Sequence, residues 1–199
     1  MLSEEDNTFK GLFFQDKQMM QAFHAYPELL CLDATYKLLD LRLPIYLMLV
    51  EDSNGLSEVI ATCILVCEDV ESIRWMLEVF KKHNPNWNSI RVVMADKDIK
   101  ERDMVKKVLP DATVLICLFH TLRTFRRSEK MGITSGERSI CLETIQKMAY
   151  ASSLEEYDEL YEFLKKNCPR TVVEYFNENW HGIKSEWVLG LKAACGSFF

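Results

Sequence analysis

The chain has no apolar run long enough to span a membrane. Its first ten residues, "MLSEEDNTFK", are acidic and contain no apolar signal core. Both absences place the expected location in the nucleus or cytoplasm, with no membrane partner. Positive charge is also in short supply. Twenty-four Lys and Arg face thirty Asp and Glu, for a net charge of −6. The protein is not a polycation, so any nucleic-acid binding must come from a local basic patch. "FRRSEK" is too short and too mixed to serve as a nuclear signal. The seven cysteines are odd in number and scattered. They do not form the dense framework of a secreted scaffold, and most are expected to be thiols in a reducing compartment. Internal repeats and low-complexity tracts are absent too.

What is present is an ordinary globular composition: 199 residues, 48% hydrophobic and 27% charged. The length fits one domain, or one domain carrying a helical insertion. "LLCLDATYK", "LPIYLMLVED" and "LSEVIATCILVCE" read as three apolar strands. Asn54-Gly55 between the last two is a hairpin signal, so the three form an antiparallel meander. In "DVESIRWMLEVFKKHNP", Ile73, Met76, Leu77 and Phe80 recur at helical spacing. Asp69 is the expected N-cap, and Pro85 the stop. "SIRVVMAD" is a fourth strand. Asp98 and Glu101 suggest a capping pattern for the next helix, closed by Pro110. "ATVLIC" is a fifth strand, which runs on into a helix. Helices placed between strands argue for parallel pairing with right-handed crossovers. Beyond about residue 128 strand signals vanish. Three helices are expected in "SICLETIQKMAYA", "SLEEYDELYEFLKKN" and "RTVVEYFNENW". Ser153 caps the second, with Glu156 at the capping-box position, and Pro169 separates the second from the third.

Two acids stand at the ends of apolar strands. Asp33 closes the first and Asp96 the fourth. Acids at the carboxyl ends of strands in an α/β sheet face the crevice where ligands bind. If those strands are neighbours, the carboxylates converge, and a hard divalent cation between them relieves their repulsion. Two such ions can drive phosphoryl transfer. The plainer reading makes each acid a strand-end cap. Cys117 and His120 lie three residues apart in "ICLFHTLRTFRR". A structural zinc site needs a second such pair, and the sequence offers none of that quality; structural zinc is not expected. Cys63 and Cys67, four apart on a strand, do not supply it. His120, Arg123, Thr124 and Arg127 share one helical face by 100° stepping, a basic stripe suited to phosphate or simply to water. Lys37 follows the first acid closely and could touch a phosphate. The four tryptophans read as core aromatics. His24, His83 and His181 have no partner visible in sequence.

The strand order matches an RNase H-like core, and "LDATYKL", "NPNWNSIRVVMADKD" and "CLFHTLRTF" resemble the Mutator-like transposase domain, most of all the zinc-finger SWIM-domain proteins derived from it. "FFQDKQMMQAFHAYPELL" resembles the usual lead-in to that domain. The resemblance is good over residues 12–127 and weaker beyond. It implies a five-stranded mixed sheet flanked by helices over residues 1–127, and a helical insertion over residues 128–199. Asp33 and Asp96 match the first two acids of the D-D-E set that holds Mg²⁺ or Mn²⁺. Cys117 and His120 match the C-x-x-H motif, with a role in orienting the acid site. "NWHGIKSEWVLGLKAA" resembles the Trp-containing stretch upstream of the third acid. No residue here matches that acid or the SWIM finger, so the chain is expected to stop before both. Glu186 is the weak local candidate for the third acid. The resemblance therefore implies a transposase-derived domain that is catalytically incomplete and binds nucleic acid weakly, or binds a protein. The alternative is an active metal-dependent transposase or nuclease whose third acid is supplied locally or from beyond this chain.

Overall fold

The computed structural model describes residues 9–35, 43–97, 99–117, 120–123 and 133–192, apart from the side chains of residues 99, 100 and 192. The chain divides into two compact units, Met1–Val114 and Leu115–Phe199.

The first unit is built on a mixed sheet. Its strands are β1 (Gly11–Phe14), β2 (Leu29–Thr35), β3 (Ile45–Glu51), β4 (Ser57–Leu65), β5 (Val92–Ala95) and β6 (Thr113–Ile116), in the order β1-β4-β3-β2-β5-β6. This is one strand more than the five expected. The addition is β1, which pairs antiparallel with β4 at the sheet's edge. Glycine is required at its first position, because a Cβ on Gly11 would collide with the Ile64 carbonyl oxygen of β4.

The β2-β3-β4 meander forms as its alternating apolar residues predict. Its β3–β4 turn uses Gly55 at φ 75°, in the left-handed region open to glycine. Asp52 organises that turn, its Oδ1 accepting from the Asn54 and Leu56 amides, each at 2.8 Å. Burial alternates along β2. Leu30 and Leu32 are buried, whereas Leu29, Cys31 and Asp33 on the other face are half-buried. The buried face packs against helices α1 (Lys17–Ala25), α2 (Val70–His83) and α3 (Ile99–Val108). Their contribution follows the helical spacing: Ile73, Met76, Leu77 and Phe80 of α2 are buried, and Phe23 of α1 meets Phe80 edge-on at 5.0 Å. Asp69 caps α2 by accepting from the Ser72 amide at 2.7 Å, an interaction of about 1 kcal/mol.

The second unit is helical over its described residues from 135 on. α4 (Ser135–Ala149), α5 (Leu154–Asn167) and α6 (Arg170–Asn179) are followed by the one-turn α7 (Lys184–Trp187). Thr134 and Glu137 form a reciprocal capping box for α4. Ser153 caps α5 as expected, accepting from the Glu156 amide. Glu156 does not complete the box, because its carboxylate bonds the amide and hydroxyl of Ser152 instead. The core of this unit is aromatic. Trp180 and Trp187 meet edge-on at 6.0 Å, and the Trp187 indole N–H donates to the Trp180 carbonyl at 3.0 Å. Among the described residues, no helix is long and apolar enough to cross a membrane.

Candidate functional site

The pairing of β2 with β5 places the two acids. The strands are adjacent and parallel, with Leu29, Leu30 and Cys31 opposite Val92, Val93 and Met94. Continuing that register by two residues sets Asp33 level with Asp96. Alternation does the rest. Leu30, Leu32, Val93 and Ala95 belong to the helix-side core, so Asp33 and Asp96 follow Cys31 and Met94 onto the other face. Both acids are half-buried. Hydrophobic alternation in two neighbouring strands thus delivers two carboxylates to one end of one face.

The surroundings of Asp96 are charged. Its Oδ1 accepts from the Lys97 amide at 2.6 Å. Burial is the main cause holding the Lys97 ammonium below its ordinary pKa; the nearby Arg102 charge adds to this, and Asp96 opposes it. Arg102 is itself buried, which lowers its pKa, while Asp103 pulls the other way. The donor set of Asp33 and Asp96 is oxygen only, which fits a hard divalent cation such as Mg²⁺ or Mn²⁺. Among the described residues, no three His, Cys, Asp or Glu side chains come together to hold a metal.

The remaining candidates lie in the second unit or outside the described residues. Cys117 is half-buried, next to the fully buried Ile116. Its carbonyl accepts from both the amide and the hydroxyl of Thr121, each at 3.0 Å, which opens a helical turn. His120 is half-buried and Arg123 is exposed in that turn. Glu186 is half-buried on α7, beside the buried Trp187. Lys37 and Arg127 lie outside the described residues. Cys67 stands past the end of β4, with its thiol donating to the Asp69 carboxylate at 2.8 Å, so it does not share the strand with Cys63.

Residues 1–115 match the family described as "Zinc finger SWIM domain-containing protein 1/3, RNaseH-like domain". The chain belongs to this family. Two curated relatives are both named "Uncharacterized protein ZSWIM9". The one from Homo sapiens is 24% identical over 188 residues, covering 93% of this chain and 30% of the relative. The one from Mus musculus is 23% identical over 188 residues, covering 93% of this chain and 42% of the relative. The chain therefore spans less than half the length of either. Membership of the zinc-finger SWIM RNase H-like family accords with the six-stranded mixed sheet and its flanking helices.

Two polar arrangements escaped the sequence. Tyr46, fully buried on β3, donates its hydroxyl to Glu68 Oε1 at 2.7 Å, with Glu101 Oε2 at 3.3 Å. One phenolic hydrogen thus serves two carboxylates on the helix side of the sheet. In the second unit, His181 stacks on Tyr161 at 4.1 Å, and its Nδ1 shares a hydrogen bond with the Tyr157 hydroxyl at 3.1 Å. No local motif marks either one. Tyr46 reads as one more apolar strand residue, and the partners of His181 are on another helix.

Proposed function

We propose that this RNase H-like unit is transposase-derived, binds nucleic acid through its phosphate backbone, and does not cut it. The observation that carries the reading is the level placement of Asp33 and Asp96 at the carboxyl ends of adjacent parallel strands. That is where an α/β sheet presents ligand-binding groups. Asp33 and Asp96 would hold a divalent cation, which would polarise a phosphate oxygen. Two carboxylates anchor one ion but leave a second held by water and easily lost, and the two-ion mechanism of phosphoryl transfer needs both.

Phosphate contacts are assigned to Arg123, which is exposed, and to Arg127 and Lys37. With so few cationic contacts on a chain of net charge −6, affinity is weak and salt-dependent. The test is a fluorescence titration of single- and double-stranded oligonucleotides. For three phosphate contacts the affinity falls roughly twentyfold on single strands and fortyfold on duplex between 50 and 200 mM salt. Arg123→Ala and Arg127→Ala should each weaken binding and flatten the salt slope. Equal affinity for wild type and both variants at low salt would contradict the reading and leave a protein as the partner to seek.

A further inference from the structure

The turn between β3 and β4 carries the sequence's one Asn-Gly pair, Asn54-Gly55. Both residues are exposed, and Asp52 before them is half-buried. An asparagine followed by glycine is chemically reactive. Glycine has no Cβ to keep its backbone nitrogen away from the neighbouring side-chain amide. In this turn every polar group of the pair that could take part in such a reaction is bonded to Asp52. The Gly55 amide donates to the Asp52 carbonyl at 3.0 Å. The Asn54 side-chain amide donates to Asp52 Oδ2 at 3.2 Å, and the Asn54 backbone amide to Oδ1 at 2.8 Å. The Leu56 amide shares Oδ1 at 2.8 Å, and the Asp52 amide donates to the Leu56 carbonyl at 2.9 Å.

We propose that Asn54 is a deamidation site and that Asp52 is its latch, holding the attacking nitrogen and the leaving amide in bonds that ring closure has to break. The Gly55 nitrogen gives up its proton to base and attacks the Asn54 side-chain carbonyl carbon. A nitrogen–carbon bond forms, the bond from that carbon to Nδ2 breaks, and ammonia leaves with a proton from solvent. Water then opens the cyclic imide at one of its two carbonyls. Opening on one side gives aspartate at position 54, and on the other isoaspartate. No oxidant or cofactor enters, and water is the only co-reactant.

The latch stays charged where the reaction runs. The Leu56 amide is the chief cause holding the Asp52 carboxyl below its ordinary pKa; burial opposes it, and the two Asn54 bonds add to it. Asp52 is therefore a carboxylate at neutral and alkaline pH, whereas the Gly55 nitrogen reacts faster as pH rises. Conversion also removes what held the turn. Aspartate at position 54 replaces the Nδ2 donor with a second carboxylate facing Asp52, and like charges so close repel. Isoaspartate adds a carbon to the main chain inside a turn whose flanking residues, Glu51 and Ser57, are paired across β3 and β4. Each product thus loosens the hairpin, and loss of ammonia makes the step one-way.

The experiment incubates the full chain in mildly alkaline buffer, native and in guanidinium chloride. Peptide mass spectrometry with chromatographic separation follows asparagine, aspartate and isoaspartate at position 54. In guanidinium Asn54 should convert ahead of every other asparagine. In the native chain its conversion should be several-fold slower. Asp52→Ala should bring the native rate most of the way to the denatured one. Asp52→Asn keeps an oxygen acceptor for the Asn54 and Leu56 amides and should stay close to wild type. The comparison of native with denatured wild type needs no variant, so it stands even if Asp52→Ala unfolds the chain. Equal rates in the native and denatured wild type would overturn the proposal. So would a folded Asp52→Ala chain that converts no faster than wild type.

Discussion

Asp33 on β2 and Asp96 just past β5 stand level on neighbouring parallel strands, because Leu29 through Cys31 pair in order with Val92 through Met94. Two carboxylates so placed are the divalent-cation site of the proposal above. Millimolar Mg²⁺ or Mn²⁺ should therefore stabilise the protein. At ten times the dissociation constant the gain is about 1.4 kcal/mol by mass action. Thermal denaturation with and without the ion measures it. Asp33→Asn should abolish the ion-dependent shift, whereas Asp103→Asn should leave it in place.

Tyr46 gives a second prediction. Tyr46→Phe removes the one hydroxyl shared by Glu68 and Glu101 and keeps the ring packing. Glu101 is only 2% exposed, so water cannot readily replace that hydroxyl. The expected loss is about 1–3 kcal/mol, read from urea unfolding of the first unit. A change under about 0.5 kcal/mol would mean that the hydroxyl is not needed to satisfy the two acids.

How much of this was legible in sequence differs from element to element. The helical spacing of Ile73, Met76, Leu77 and Phe80 and the Asp69 cap are local, and both formed as read. The adjacency of Asp33 and Asp96 was legible because two apolar runs each end in an acid and a helix lies between the later strands. β1 was missed because four residues, "GLFF", are too few to show an alternation, and the strand is defined by β4, about fifty residues on. Glu156 was assigned to the right helix end but not to its partner, since its carboxylate accepts from the amide and hydroxyl of Ser152 while its own amide donates to the Ser153 hydroxyl. The Tyr157–His181 pair depends on how helices pack, which no spacing rule encodes.

The aromatic core of the second unit should dominate its stability. Trp187→Ala removes a fully buried ring and the N–H donated to the Trp180 carbonyl. A loss of about 3–5 kcal/mol is expected. Trp187→Phe retains part of the ring contact and should cost less. Tryptophan fluorescence during denaturation compares the two.

His181 predicts a pH dependence with a definite sign. Burial is the largest cause lowering its pKa below 6.5; the Lys184 and Lys165 charges act in the same direction, and Asp158 opposes them. The Tyr157 hydroxyl and the Tyr161 ring also face it. A histidine whose folded pKa lies below its unfolded value binds its proton more readily when unfolded. Its contribution is therefore full above about pH 6.5 and is lost as pH falls. The second unit should weaken between about pH 7 and pH 5, and His181→Phe should flatten that part of the stability profile while keeping the stack. An unchanged slope in the variant would assign the effect to other groups.

The central claim, an RNase H-like unit that binds nucleic acid without cutting it, is tested most directly by a cleavage assay. Purified chain is incubated with Mg²⁺ or Mn²⁺ and end-labelled single- and double-stranded DNA, and products are resolved on a denaturing gel. The account predicts intact substrate with either ion, at protein concentrations where the same DNA is bound. Metal-dependent cleavage that disappears in Asp33→Ala would contradict it, and loss of that cleavage in Glu186→Ala would then identify the third acid.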